Sequence, residues 1–170
     1  ALFEETGRYI AMRFLVKPMD FPNAFMYGAG HGGVEAMLLC GVASISNIAS
    51  AVMINSGTMS AQLATLDAEK AADTAAALSA LWTTPSLTFF AGGVERIIAV
   101  VLHLSLSILV FQSIRKKSQK DLLNAYLFHF VIDSLSVLLS AVASVWVVEL
   151  VTALVTGGAV LMARYACMKE

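Results

Sequence analysis

Four side chains able to move a proton or hold a metal lie far apart in this 170-residue chain: Glu4, His31, His103 and His129. The three histidines are all the chain has. A carboxylate beside imidazoles is the set that activates water for hydrolysis, as a general base and its partner. One carboxylate with two or three histidines also suits Zn²⁺ with a coordination position left open. Neighbours at helical spacing extend the set. Glu4 with Arg8, Tyr27 with His31 and Glu35, and His129 with Asp133 stand four residues apart, so each group shares one helix face. An acid one turn from an imidazole can hold its N–H and fix its tautomer. Arg8 can balance the charge of a neighbouring carboxylate, with a buried structural ion pair as the plainer alternative.

These residues need elements to carry them, and the composition says where those elements lie. Hydrophobic residues make up 58% of the chain and charged ones 14%, with a mean hydropathy of +0.77. A soluble domain keeps roughly a quarter of its residues charged, so the deficit points to a multi-pass membrane protein. The net charge of −1 gives no argument for nucleic acid. Cys40 and Cys167 fall in apolar stretches and read as packing residues.

Five membrane segments are predicted, over residues 1–16, 22–54, 87–113, 121–143 and 148–168, with a turn at "KPMDFPN". Residues 56–85 are alanine-rich and carry Asp67, Glu69, Lys70 and Asp73, which predicts an amphipathic interfacial helix or lid. The fold class expected is therefore all-α: a polytopic transmembrane bundle forming a single domain over 1–170. The first segment is short for a span of about 20 residues, which leads to the expectation of a fragment lacking upstream helices. No basic, small-residue leader pattern precedes it, so it does not read as a signal peptide. Arg13 and Lys17, then Arg115, Lys116, Lys117 and Lys120, then Arg164 and Lys169 fall on one side when the spans alternate. The positive-inside rule makes that side cytoplasmic, here of a bacterial cytoplasmic membrane.

Depth ties the chemistry together. Counted from the nearest charged edge residue of each helix (Lys17, Asp20, Arg115, Asp121), the four side chains lie roughly 12–20 Å in, near the middle of a core about 30 Å thick. Intramembrane ionisable groups are costly, and four at one level predict a shared polar site. The glycines of "YGAGHGGVE" permit close helix approach or a local break beside it. No strand or "GK[ST]" accompanies them, so they are no phosphate cradle, and no "HEXXH" is present. Glu95 and Arg96 fall at the far interface as a boundary pair or gate, and Glu149 marks the outer end of the last helix.

"FEETGRY" resembles the EExxxR-type first motif of the CAAX protease and bacteriocin-processing superfamily, "YGAGH" its FxxxH motif, "VVLHLSLS" its single-histidine motif and "HFVID" its HxxxN/D motif. Within that superfamily the combination looks most like the YhfC family of intramembrane peptidases, over residues 3 to about 135. Arginine follows the glutamates one residue early, and aspartate stands where the prenyl endopeptidases carry asparagine. The resemblance implies an all-helical endopeptidase cleaving a membrane-embedded peptide or protein. Glu4 would be the base, with Glu5 the rival, and His31 its partner on the water. His103 and His129 would bind the oxyanion or a second face of the water, Asp133 would orient His129, and Arg8 would hold the carboxylate pair. A metal, if present, would sit on Glu4, His31, His103 and His129, zinc being the candidate. The superfamily's glutamate-dependent members lean the reading to no obligatory metal. Two other functions fit the residues: a non-catalytic scaffold akin to the superfamily's γ-secretase subunit, and a proton-coupled transporter, which should carry polar residues to both faces.

Overall fold

The computed structural model describes residues 1–168, and every regular element among them is helical. The elements are α1 (Leu2–Phe14), α2 (Phe21–Ala36), a π-helical turn (Met37–Gly41), α3 (Val42–Asn55), α4 (Thr58–Leu63), α5 (Ala68–Thr83), α6 (Ser86–Lys116), α7 (Gln119–Ser140) and α8 (Val145–Met168). Lys169, one of the basic residues counted for orientation, lies outside the described residues. The chain forms two compact units, one of residues 1–36 with 93 onward, the other of Met37–Gly92.

Four stretches are long and apolar enough to cross a membrane: Phe21–Asn55, Ser86–Lys116, Gln119–Ser140 and Val145–Met168. The predicted first span is not among them. Its 13 residues rise about 20 Å, short of a core of about 30 Å. The predicted amphipathic helix at 56–85 is two helices, because the chain turns after Leu63 and Asp67 starts α5 afresh. The Asp67 carboxylate accepts the Lys70 backbone N–H at 2.9 Å and pairs with its ammonium at 2.8 Å, an N-cap that satisfies one of the free donors of the first turn. Gly57, with φ of 77°, makes the left-handed turn between α3 and α4.

In the first unit α6 is the central helix. Leu102, Leu106, Leu109, Val110 and Phe111 are at most 3% exposed, and Met12, Ala24, Ala125, Ala159 and Ala163 pack with them. The α2 glycines explain how close its neighbour comes. A Cβ on Gly28 would lie 2.9 Å from the Leu104 Cα, and one on Gly32 would lie 3.1 Å from the Val100 Cα. Backbone thus meets backbone, the small-residue packing of membrane helices. Gly30 and Gly33 face open space, so only half of the glycine motif serves this contact. The chain leaves α-helical geometry later, at Met37–Gly41, rather than at the motif.

Helix α1 is turned inside out relative to a water-soluble helix. Its buried residues are Glu5, Arg8 and Met12, while Leu2, Phe3, Ile10 and Phe14 are exposed. In lipid that polarity is favourable: acyl tails solvate the apolar face and the polar face finds partners inside the bundle.

Candidate active site

The first unit gathers the predicted residues from four helices. Glu4, Glu5 and Arg8 come from α1, Tyr27, His31 and Glu35 from α2, Glu95, Arg96 and His103 from α6, and His129 and Asp133 from α7. The histidine rings form a row, His31 to His103 at 4.7 Å between centroids and His103 to His129 at 5.5 Å. Tyr27 stands 6.1 Å from His31 at its end.

Arg8 organises the buried half. Its Nη1 donates to the His103 carbonyl oxygen at 2.8 Å and to Ser107 Oγ at 3.0 Å, and its Nη2 reaches His103 Nδ1 at 2.7 Å. Nη2 also lies 3.3 Å from Glu5 Oε1, and both side chains of that pair are fully buried. A guanidinium only donates, so His103 Nδ1 must accept and its ring proton sits on Nε2. That N–H donates to Glu35 Oε2 at 2.6 Å. Glu35 Oε1 in turn accepts Arg96 Nη1 at 3.2 Å, and Arg96 also pairs with Glu95. The boundary pair expected at 95–96 is thus wired to the centre through Glu35.

His129 has the opposite tautomer. Its Nδ1 meets Glu5 Oε1 at 2.7 Å, an acceptor, which leaves the lone pair on Nε2. The bond that fixes this ring therefore comes from Glu5. Asp133, expected in that role, faces the other nitrogen at 3.6 Å. Arg8 likewise pairs with Glu5 alone, while Glu4 faces imidazoles: His129 Nε2 at 3.5 Å and His31 Nε2 at 3.6 Å. The expectation that both His103 and His129 donate to an oxyanion meets a physical obstacle. In the neutral tautomer that Glu5 selects, His129 Nε2 accepts rather than donates, and the His103 N–H is occupied by Glu35.

The two separations that Glu4 makes suit donors to one ion. Two donors each about 2.0–2.1 Å from a tetrahedral ion lie about 3.4 Å apart, close to the distances from Glu4 to His31 and His129. Glu4, His31, Glu35 and His103 can also each bring one donor atom within 4.8 Å of the others. Proximity favours that second set, but its His103 nitrogens are both engaged. Glu4 has no close hydrogen bond, neutral His129 presents Nε2 as an acceptor, and Glu4 stands between that nitrogen and His31. A carboxylate holding the far nitrogen of a ligating imidazole, as Glu5 holds His129, is the usual support of such a ligand.

A cavity of about 280 Å³ opens against His103 and His129, walled by Leu102, Ile132 and Val137 and edged by Glu35, Glu95 and Arg96. Sequence reasoning missed Ser107, the second anchor of Arg8, although it stands one turn after His103 on the same face. Glu149 lies near the start of α8, as expected, and is 7% exposed, a burial the sequence did not signal.

No solved structure matches the chain. The chain is 40% identical over 129 residues to the protein named "Uncharacterized membrane protein YhfC" of Bacillus subtilis (strain 168), an overlap of 75% of this chain and 49% of that protein. It thus spans about half the length of that curated relative. A family model described as YhfC intramembrane metalloprotease matches residues 1–152. With the histidine row and its glutamates inside the matched region, the chain belongs to the YhfC family.

Proposed function

We propose that this chain carries the reaction centre of an intramembrane metallopeptidase that hydrolyses a peptide bond of a membrane-embedded polypeptide, its basic connections facing the cytoplasm of a bacterium. One observation carries the reading. Glu4 on α1 stands 3.6 Å from His31 Nε2 and 3.5 Å from His129 Nε2, so a carboxylate and two imidazoles from three helices meet at one place. The family description, intramembrane metalloprotease, supports a metal, against the leaning to a metal-independent water drawn from the wider resemblance. Glu4, His31 and His129 would hold it, and zinc suits a carboxylate with two imidazoles. When bound, such an ion polarises the scissile carbonyl and makes water nucleophilic near neutral pH.

The rest is done by this chain's own side chains. Glu4 is the carboxylate of the centre that no close hydrogen bond ties down; with one oxygen in the ligand set, its other oxygen would take the proton of the attacking water and return it to the leaving amine. Glu5 fixes His129, and Arg8 balances Glu5 and pins His103. His103 joins Arg8 to Glu35, so α1, α2 and α6 cannot shift independently around the centre. A scaffold would need no such freedom of lone pairs at Glu4, which favours catalysis. Cleavage of a membrane-spanning reporter polypeptide in proteoliposomes tests the reading. Wild type should cleave, chelation should stop it, zinc should restore it, and Glu4→Gln should lower the rate by at least about 100-fold. Equal cleavage by Glu4→Gln and wild type would remove the mechanism.

A further inference from the structure

Glu149 is a carboxylate that the reaction centre does not use. It sits on α8, 7% exposed, and its Oε2 has no hydrogen-bond partner among the described residues. It lines a second cavity of about 300 Å³ with Glu95, Ser136, Ser140, Ala143 and Thr152. Glu95, Ser136 and Thr152 also line the cavity against His103 and His129. The two spaces therefore adjoin along a polar seam between α6, α7 and α8. Each holds roughly ten times the ~30 Å³ that a water takes up in the liquid. A carboxylate oxygen with no partner in dry hydrocarbon is among the costliest groups in a membrane, and water in the cavity is the partner that removes the cost.

The seam has a direction. Ser140, Ala143 and Val145 place its outer end at the turn between α7 and α8. Helix α7 rises about 33 Å from the basic connection at 115–120 to that turn. The groups lining the two spaces are acidic on balance, with Glu35, Glu95, Asp133 and Glu149 against Arg96.

We propose that the two adjoining cavities form a water-filled, cation-selective vestibule, which supplies water to the His103–His129 end from the membrane face opposite the basic connection. Its use rests on the hydrolytic reading, since a peptide bond cleaved in mid-membrane consumes one water per turnover. Its existence does not, because water and ions enter whether or not the protein cleaves anything. Acyl tails are the alternative filling.

Single cysteines test it without any substrate. Ser136→Cys, Ser140→Cys and Thr152→Cys are introduced into a protein with Cys40 and Cys167 changed to serine, with Leu154→Cys on the lipid-facing side of α8 as control. Leu154 is 68% exposed. Sealed vesicles of both orientations receive membrane-impermeant thiosulfonates, one cationic (trimethylammonium) and one anionic (sulfonate). Each rate is divided by that reagent's rate with a free thiol. The substitutions are near-isosteric, and only variants eluting as the parent protein are scored, so one loss leaves two positions. The three vestibule positions should react from the face opposite the basic connection, roughly tenfold or more faster with the cation, and Glu149→Gln should lower that ratio. Reaction no faster than at Leu154→Cys, entry from the basic face, or a ratio untouched by Glu149→Gln would overturn the vestibule. Labelled cysteines in a protein that never cleaves the reporter would keep the vestibule and remove the peptidase. Cleavage with unlabelled cysteines would do the reverse.

Discussion

Successive residues on a helix point about 100° apart, so Glu4 and Glu5 meet different surroundings although they are adjacent. Glu5 is fully buried against Arg8 and His129, and Glu4 is 45% exposed and faces two imidazoles. The motif leaves open which glutamate is the base, and the packing separates their roles. Replacing Glu5 leaves the Arg8 charge buried without its counter-charge, which costs roughly 3–5 kcal/mol. Glu5→Gln should therefore lower the denaturation midpoint of the detergent-solubilised protein sharply, while Glu4→Gln should change stability by about 0.5 kcal/mol or less. Equal midpoints for the two variants would contradict the assignment. Depth counting was enough to bring Glu4, His31, His103 and His129 to one level. It gave no access to the tautomers, because these depend on which nitrogen meets Arg8 or Glu5 across 95 and 124 residues of chain. Hydrogen-bond direction leaves no period in a sequence.

At the scale of elements, the contact between α2 and α6 rests on missing side chains. A methyl on Gly28 would press on the Leu104 backbone, whereas Gly30 faces open space. Gly28→Ala should destabilise by about 1–3 kcal/mol through overpacking, and Gly30→Ala should be neutral or stabilise by about 0.5–1 kcal/mol as a better helix former. Thermal midpoints in detergent decide this, and a Gly28→Ala protein as stable as wild type would mean the helices pack less closely. The α5 cap carries a pH dependence of its own. The Lys70 ammonium, then its backbone N–H, hold Asp67 below the usual carboxylate range. The folded value is depressed, so the cap is intact above the ordinary value and is lost as pH falls through the lower one. Amide exchange in the first turn of α5 should be insensitive to the state of Asp67 from pH 7 to 5 and should quicken beyond its intrinsic rate below about pH 4. The long apolar helices were legible from hydropathy alone. The split of 56–85 was not, because an alanine-rich stretch has helical propensity throughout and the break is made by one aspartate acting as a cap.

Within the first unit many large apolar side chains face outward, among them Phe3, Phe14, Phe130 and Leu154, while the charged groups of α1, α2, α6 and α7 meet inside beside the apolar core of α6. Glu5, Arg8, His103, Glu35 and Arg96 are joined to one another by hydrogen bonds and ion pairs, whereas Glu4 meets His31 and His129 only at 3.5–3.6 Å. The account stands on those three. Metal content per polypeptide, measured by elemental analysis on purified protein loaded with zinc and then desalted, tests it most directly. Wild type and His103→Gln should each retain about one zinc per chain, and His31→Ala and His129→Ala should retain almost none. Zinc kept by His129→Ala but lost by His103→Gln would place the ion on the Glu35 side of the row, and the assignment of Glu4, His31 and His129 would be wrong.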